Sequence, residues 1–532
     1  MTRTQRLTLI AAIMGSTVVF LDSTVVNVAL PALSADLDAG LSGQQWVVEA
    51  YLLALVALLL VGGMLGDQYG RRKMFLFGLV GFAVTSALCA IAPSDEFLII
   101  ARGLQGIAGA LLVPGSLALV ASAFSGAARG AAVGSWTAWT GIATVVGPAG
   151  GGLLVDELDW RWIFWINLPL IAATIWLTLE AVEESRDPES VPGIDWTGIG
   201  LSALGLGGPV FALIEQPHYG WGDPRVWVPL ASGVVLFALF LWHEATTRHP
   251  MLDLSLFRIR NFWVTNLVTL EVYAGLIGGL FFVTLFLQQT AGYSALQAGL
   301  ATTPISVILF VLSSRFGRIA SGTGPRLLMC VGPVVGGIGM LMMLRIGANP
   351  SYAGDVLPAV AVFGLGLAAT VAPLTATVLD SVAERHAGIA SGVNNGVSRV
   401  AGLLAIAILG AVISAAFVTE LDESLPASSL TPAGAVAVEE VRDLPLGSAG
   451  TAELPETEAN RIAASVSEAS TGAFHLAVGI AGALMIAGGI AAGIGVQNPA
   501  RRGEHLAPLA ATAGDCGHQA RAEEPVPLDS AA

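Results

Sequence analysis

The sequence predicts an all-α membrane protein of fourteen transmembrane helices, arranged as two six-helix halves with two additional central spans. Three observations carry that expectation. Of 532 residues, 54% are hydrophobic and only 12% are charged, against the roughly one quarter that solvates a soluble chain. Apolar runs of the roughly 20 residues that cross a bilayer recur along the whole length. The basic residues between those runs alternate in density, as they do when loops alternate between the two sides of a membrane.

Taken in order, spans are expected near 8–30, 46–65, 74–92, 97–120, 131–155, 162–179, 196–214, 226–242, 263–287, 294–313, 326–344, 356–376, 388–416 and 473–496. The first run is too long for a signal-peptide core, is interrupted by Asp22 and precedes no small-residue cleavage site, so it counts as a span. With a cytoplasmic N-terminus, about seventeen basic residues fall inside, among them Arg3, Arg71, Arg72, Lys73, Arg315, Arg318 and Arg326. Arg161, Arg225, Arg345, Arg442 and Arg461 fall outside, while Arg102 and Arg399 lie within spans. The bias places both termini in the cytoplasm, and the near-exclusive use of Arg over Lys, read as codon bias in a GC-rich bacterium, makes the expected membrane a bacterial cell membrane. Residues 1–180 then form the N-terminal half, 181–250 carry the two linker spans, and 251–497 form the C-terminal half. That half includes an acidic outer loop at 417–470, and a polar tail at 498–532 is expected to be disordered. Met251 to Phe257, followed by Arg258 and Arg260, reads as an amphipathic helix on the inner surface.

The division into halves rests on a repeat. After the second span the chain reads Gly63-Met-Leu-Gly-Asp67-Gln-Tyr-Gly70-Arg71-Arg72-Lys73. After the tenth it reads Arg315-Phe-Gly-Arg318, then Gly322-Thr-Gly324-Pro325-Arg326. The copies are eight spans apart, which is six plus two. Transporters built from such halves hold substrate between them and rock to alternate access.

Composition also excludes. A net charge of −15 argues against a nucleic-acid partner. The three cysteines, Cys89, Cys330 and Cys516, are far apart and form no metal-ligand cluster. Lys73 is the single lysine and is followed by Met74, so the chain holds no phosphate-binding loop. No metalloprotease or nucleophile-elbow pattern is present. The expectation is a transporter and not an enzyme, without metal or cofactor, driven by an ion gradient or a partner ATPase.

An ionisable residue inside a span costs about 2.5–3.5 kcal/mol even on lenient insertion scales, so each is a candidate site. Asp22 lies about 13 Å deep from the outer end of the first span. Glu49 lies about one turn inside the second span, and Arg102 about five residues into the fourth. All three fall in the outer half. There Asp22 can take a proton from outside, and competition between that proton and Arg102 supplies a switch. The fifth span carries Gly141 to Gly152, in which Gly147 and Pro148 combine close packing with a kink. Trp136 and Trp139, one turn apart in the same span, are candidates for the cavity wall, while Trp46, Trp162, Trp165, Trp221 and Trp227 read as interface anchors. Glu271 in the ninth span and Arg399 at mid-depth of the thirteenth are candidates for a second charge pair.

Leu21-Asp22-Ser-Thr24-Val-Val-Asn27-Val-Ala-Leu-Pro31 resembles the first-span signature of the fourteen-helix drug:proton antiporters of the major facilitator superfamily. Gly63 to Lys73 is similar to that superfamily's inner-loop signature, and Arg102-Gly-Leu-Gln105-Gly106 to its fourth-span signature. Gly141 to Gly152 is similar to the antiporter signature of span five. Trp160 to Pro169, Ala212 to Glu215 with Gly220-Trp221, and Gly388 to Asn395 extend the likeness over about 10–500. The resemblance implies proton coupling through Asp22 and Arg102, and a gate formed by Asp67, Gly70, Arg71, Arg72, Gly147 and Pro148. Glu49, Asn27, Trp136 and Trp139 are the substrate-binding candidates, together with Glu271, which has no counterpart in the family's signatures. An acid at Glu49 is shared with quaternary-ammonium exporters, which suggests organic cations. The tenth span, Ser294 to Ser313, lacks the acid that some members use for divalent cations. The expected function is therefore proton-coupled export of drugs or other amphipathic organic compounds, with protons, lipid and a small organic substrate as partners. A periplasmic adaptor is possible, but no periplasmic arm is present in the sequence. The alternatives are a single-metabolite exporter or importer of the same fold, and a non-transporting membrane sensor.

Overall fold

The computed structural model describes residues 1–186, 195–247, 250–382, 387–426, 430–447 and 454–498. The tail expected from 498 lies outside the described residues beyond its first position. The chain is nearly all helix: α1 (Arg3–Leu37), α2 (Leu41–Tyr69), α3 (Arg71–Ala90), α4 (Asp95–Ala123), α5 (Gly126–Glu157), a single turn α6 (Trp162–Trp165) leading into α7 (Asn167–Ala181), α8 (Trp196–Tyr219), α9 (Pro224–Thr246), α10 (Arg260–Gln289), α11 (Ala295–Thr323), α12 (Pro325–Met342), α13 (Leu357–Asp380), α14 (Ala387–Ser424), α15 (Pro432–Arg442) and α16 (Glu456–Gly495). Among the described residues, 13 helical segments are long and apolar enough to cross a membrane. Helix α5, 32 residues long, occupies the remaining expected position.

Local sequence explains where the helices begin. Thr2 with Gln5 and Ser294 with Gln297 form reciprocal capping boxes at α1 and α11. Ser94 caps α4, with Asp95 and Glu96 in the first turn facing the positive helix end. Asp223 caps α9 ahead of Pro224, whose missing N–H falls where no helical bond is lost. The α2–α3 and α11–α12 connections are each one glycine, Gly70 at φ 114° and Gly324 at φ 88°. Only glycine enters that region without strain. Both copies of the sequence repeat therefore turn in the same way.

The helices pack as two groups. α1 lies against α4, α5 and α7, while α2 and α3 close on α4. In the second group α12 packs on α13 and α16, α10 on α14 and α16, and α11 on α13. The groups meet along α5–α11 and α2–α14. Helices α8 and α9 pair with each other, and α8 rests in the groove between α2 and α14. Trp46 ties this extra pair down: its indole N–H donates to Glu215 at 2.8 Å and its ring packs on Phe211 at 5.8 Å. It is thus a helix–helix contact and not the interface anchor its position suggested.

Two expectations need correction. Residues 417–470 are largely helical: α14 runs on to Ser424, α16 starts at Glu456, and α15 lies between them. The acidic composition that read as loop is the polar face of helices, while Val438, Val441 and Leu446 are buried in the main core. The surface helix at 251–257 is a short 3-10 segment, Leu254–Arg258, pinned by buried Leu256.

Candidate functional site

Asp22 and Arg102 meet inside the first group. Arg102 Nη1 donates to Asp22 Oδ2 at 2.5 Å, and the side chains are 1% and 0% exposed. Burial of two charges is tolerated only when the remaining donors and acceptors are filled. Here both Asp22 oxygens accept hydrogen bonds, and Arg102 places three of its five N–H groups. Arg102 also donates to Gln105 Oε1 at 2.6 Å and to the Val47 carbonyl at 3.1 Å, and lies over the Tyr51 ring at 4.3 Å. The other Asp22 oxygen accepts from Gln105 Nε2 and Asn167 Nδ2, both at 3.1 Å. Asn167 donates also to Ser86 at 3.0 Å, whose hydroxyl donates to the Phe164 carbonyl at 3.0 Å. The network thus joins five spanning helices, α1, α2, α3, α4 and α7, around one carboxylate within the first group.

Gln105 and Asn167 lie within signatures that carry the family likeness but were assigned no role there, and Ser86 was not singled out. Their signal was a neutral polar residue within a span or, for Asn167, at the start of α7, which is inexpensive to bury when partnered and so stands out less than a charge.

Glu49 is fully buried, and neither carboxylate oxygen has a hydrogen-bond partner. One turn before it on α2, Gln45 donates to the Ile406 carbonyl of α14 at 2.8 Å. Asn27 is half-buried with its Oδ1 unpartnered, and it lines a cavity at the seam. Trp136 turns toward α1, donating to Ser16 at 3.2 Å, whereas Trp139 is 56% exposed. Glu271 faces Gly488 of α16 and has one buried oxygen without a partner. Arg399 lies over Phe20 of α1 at 5.8 Å. No ion pair joins Glu271 to Arg399, so the structure does not bring that candidate pair together.

At the face where the chain begins, Arg71 pairs with Asp67 at 2.7 Å. Glu184, beyond α7, accepts from the Arg72 and Lys73 amides at 3.1 and 3.2 Å and caps α3. Its carboxylate fills the space a Gly70 side chain would enter, 2.7 Å from that Cβ. Arg72 reaches the Leu179 carbonyl at 2.9 Å.

At the opposite face the two groups are in contact. Gly147 packs on Thr24 and Val25 of α1, and the carbonyl region of Pro148 lies against Gly299 of α11. A Cβ on Gly152 would stand 2.5 Å from the Ala295 carbonyl oxygen, so the α5–α11 approach needs that glycine. The α15 connection adds a brace: the Asp443 carbonyl accepts from the Leu41 amide at 2.9 Å, and the Leu446 carbonyl accepts from Thr290 at 2.7 Å. The arrangement is two packed helical groups, shut against each other at one face, with a charge pair sealed inside the first.

The family model of the Major Facilitator Superfamily matches residues 12–406. The chain belongs to this superfamily. Its relatives within it include the multidrug resistance protein Stp of Mycobacterium tuberculosis, 37% identical over 78% of this chain and 77% of that protein. The tetracenomycin C resistance and export protein of Streptomyces glaucescens is 34% identical over 76% of each chain. The multidrug efflux pump LfrA of Mycolicibacterium smegmatis is 34% identical over 81% of this chain and 86% of that one. Among solved structures, a bacterial homolog of the human lysosomal transporter Spinster, inward-facing and unoccupied, superposes with a TM-score of 0.62. It covers 94% of this chain and 100% of its own at 15% identity, which speaks for the fold alone. The superfamily fold accounts for the two groups, and the protein is a multi-span membrane transporter.

Proposed function

We propose that this transporter exports drugs or other amphipathic organic compounds across a bacterial cell membrane in exchange for protons. The supporting observation is the Asp22–Arg102 pair. It is a buried carboxylate whose two oxygens are held by Arg102, Gln105 and Asn167. A proton arriving on Asp22 removes the charge that Arg102 faces, and a buried guanidinium without its partner favours a rearrangement of α1 against α4. Helix α1 also lines the seam through Thr24 and Asn27, so the same helix touches proton site and substrate path. Export, as distinct from uptake, rests on the relatives, three of which carry resistance or efflux in their names.

In this reading both termini are cytoplasmic, and the Asp67–Arg71 pair with the Gly70 turn forms the inner gate. Residues 1–180 and 251–497 are the rocking halves, and 181–250 are a linker docked on the outside of the seam. The tetracenomycin relative favours a second reading, a dedicated exporter of one metabolite on the same scaffold.

The test is ethidium efflux from cells expressing the wild type and Asp22→Asn, with and without a protonophore. Efflux lost in both treatments supports proton-driven export through Asp22. Undiminished efflux by Asp22→Asn removes that residue from the coupling path, and a wild type that moves no dye turns the choice to the single metabolite.

A further inference from the structure

Where α1, α5, α10 and α11 meet lies a cavity of about 130 Å³ whose lining includes Thr24, Asn27, Pro148, Thr284, Thr302 and Ser306. Its lining leaves more free acceptors than donors. Thr24 spends its hydroxyl proton on the Phe20 and Leu21 carbonyls, Thr284 on the Leu280 carbonyl at 2.9 Å, and Thr302 on the Gly299 carbonyl at 3.1 Å. A hydroxyl oxygen has two lone pairs and one proton. Each threonine therefore keeps accepting capacity after its proton is committed. Asn27 adds a carboxamide oxygen that is buried and accepts from nothing. The donors left over are the Asn27 amide and the Ser306 hydroxyl. No carboxylate lines the cavity.

We infer that this cavity is a substrate subsite that selects O–H or N–H donors, hydroxyl or amino groups on the transported molecule. The inference rests on the drug-export reading and adds to it a basis for discrimination. An acceptor left without a partner away from water is costly, and a donor on the ligand relieves that cost where a donor-free cation does not. With no acid in the lining, charge is not what this subsite reads. Both halves contribute, α1 and α5 from one and α10 and α11 from the other, so a donor held here bridges the seam.

The experiment uses two dyes with one xanthene methyl-ester framework and one positive charge. Rhodamine 123 carries free amino groups, and tetramethylrhodamine methyl ester has them fully methylated. Wild-type cells are expected to export rhodamine 123 with a KM at least several-fold lower. The near-isosteric Thr284→Val and, separately, Thr302→Val should raise the rhodamine 123 KM several-fold and leave the methylated dye unchanged. Continued export of the methylated dye shows that each variant is folded and driven. Equal KM values in the wild type, or variants that lose both dyes in proportion, overturn the subsite. A wild type that exports neither dye overturns the drug-export reading itself.

Discussion

Asp156, at the end of α5, accepts a 2.6 Å hydrogen bond from the Ser294 hydroxyl, at the start of α11. The same carboxylate accepts from the Ala295 and Leu296 amides at 3.1 and 3.0 Å. One group of helices thereby caps a helix of the other, charge against the positive helix end. A cap of this kind is worth about 1 kcal/mol, and about 1.4 kcal/mol is tenfold in an equilibrium. Asp156→Ala should therefore raise the population open at this face about fivefold. A membrane-impermeant maleimide reacting with Thr302→Cys in intact cells, Cys330 and Cys516 being replaced by serine, reads that population. An unchanged labelling rate means the cap does not hold the face shut.

Gly152 sets a harder limit. Its added Cβ would meet the backbone of Ala295 and Leu296 at 2.5 and 2.6 Å, and backbone cannot swing aside as a side-chain tip can. Gly152→Val is expected to keep this face from closing. Transport should fall to background while the Thr302→Cys site labels at its maximal rate. Normal export by Gly152→Val would show that the contact is not part of the cycle.

The sealed charge pair predicts separate effects on stability and transport. Asp22→Asn leaves Arg102 buried without a counter-charge, a change worth about 3–5 kcal/mol. The detergent-solubilised variant should unfold at a clearly lower temperature. Replacing both members, Asp22→Leu with Arg102→Met, should recover much of that loss and no transport. If the double variant is as unstable as the single one, the pair is not the unit the geometry indicates. Arg102→Lys keeps the charge but cannot reach Asp22, Gln105 and Val47 together, and should lose coupling as well.

How much of this was legible in the sequence depends on the physics of each residue. The spans stood out because about 20 apolar residues are needed to cross lipid and few other structures use them. Asp22 and Arg102 stood out because charge in that setting is costly. Gln105, Asn167 and Ser86 did not, since neutral polar groups carry no comparable penalty and no period. The Glu271–Arg399 suggestion matched residues by depth alone. Depth does not fix the direction a side chain takes around its helix, and Glu271 turns to α16 while Arg399 turns to α1. Glu184 was invisible because it acts across more than a hundred positions on a helix end whose need for a cap shows only in three dimensions.

The Gly70 turn links that cap to the gate. Gly70→Ala places a side chain at φ 114° and against the Glu184 carboxylate. A non-glycine residue in this region costs roughly 1–2 kcal/mol, and displacing the cap adds to it. Asp67→Asn, by contrast, removes a partly exposed pair worth roughly 0–1 kcal/mol. Asp67→Asn should thus melt within a few degrees of the wild type, yet transport poorly if the pair is a gate. A variant that is both stable and active assigns Asp67 to the surface alone.

Glu49 gives the last prediction. Its carboxyl is wholly buried on α2 with both oxygens unpartnered, beside the Gln45 contact that joins α2 to α14. A buried polar group without a partner costs about 1–3 kcal/mol, so in this conformation Glu49 is a liability to stability. Glu49→Leu should raise the melting temperature of the purified protein, because it replaces an unsatisfied group with one the site prefers. The same variant should lose export if the carboxyl finds its partner, a proton or a cationic substrate, once α2 and α14 separate. Higher stability with full activity would reduce Glu49 to a buried acid of no consequence. Lower stability would mean the carboxyl is satisfied in a way that its two bare oxygens contradict.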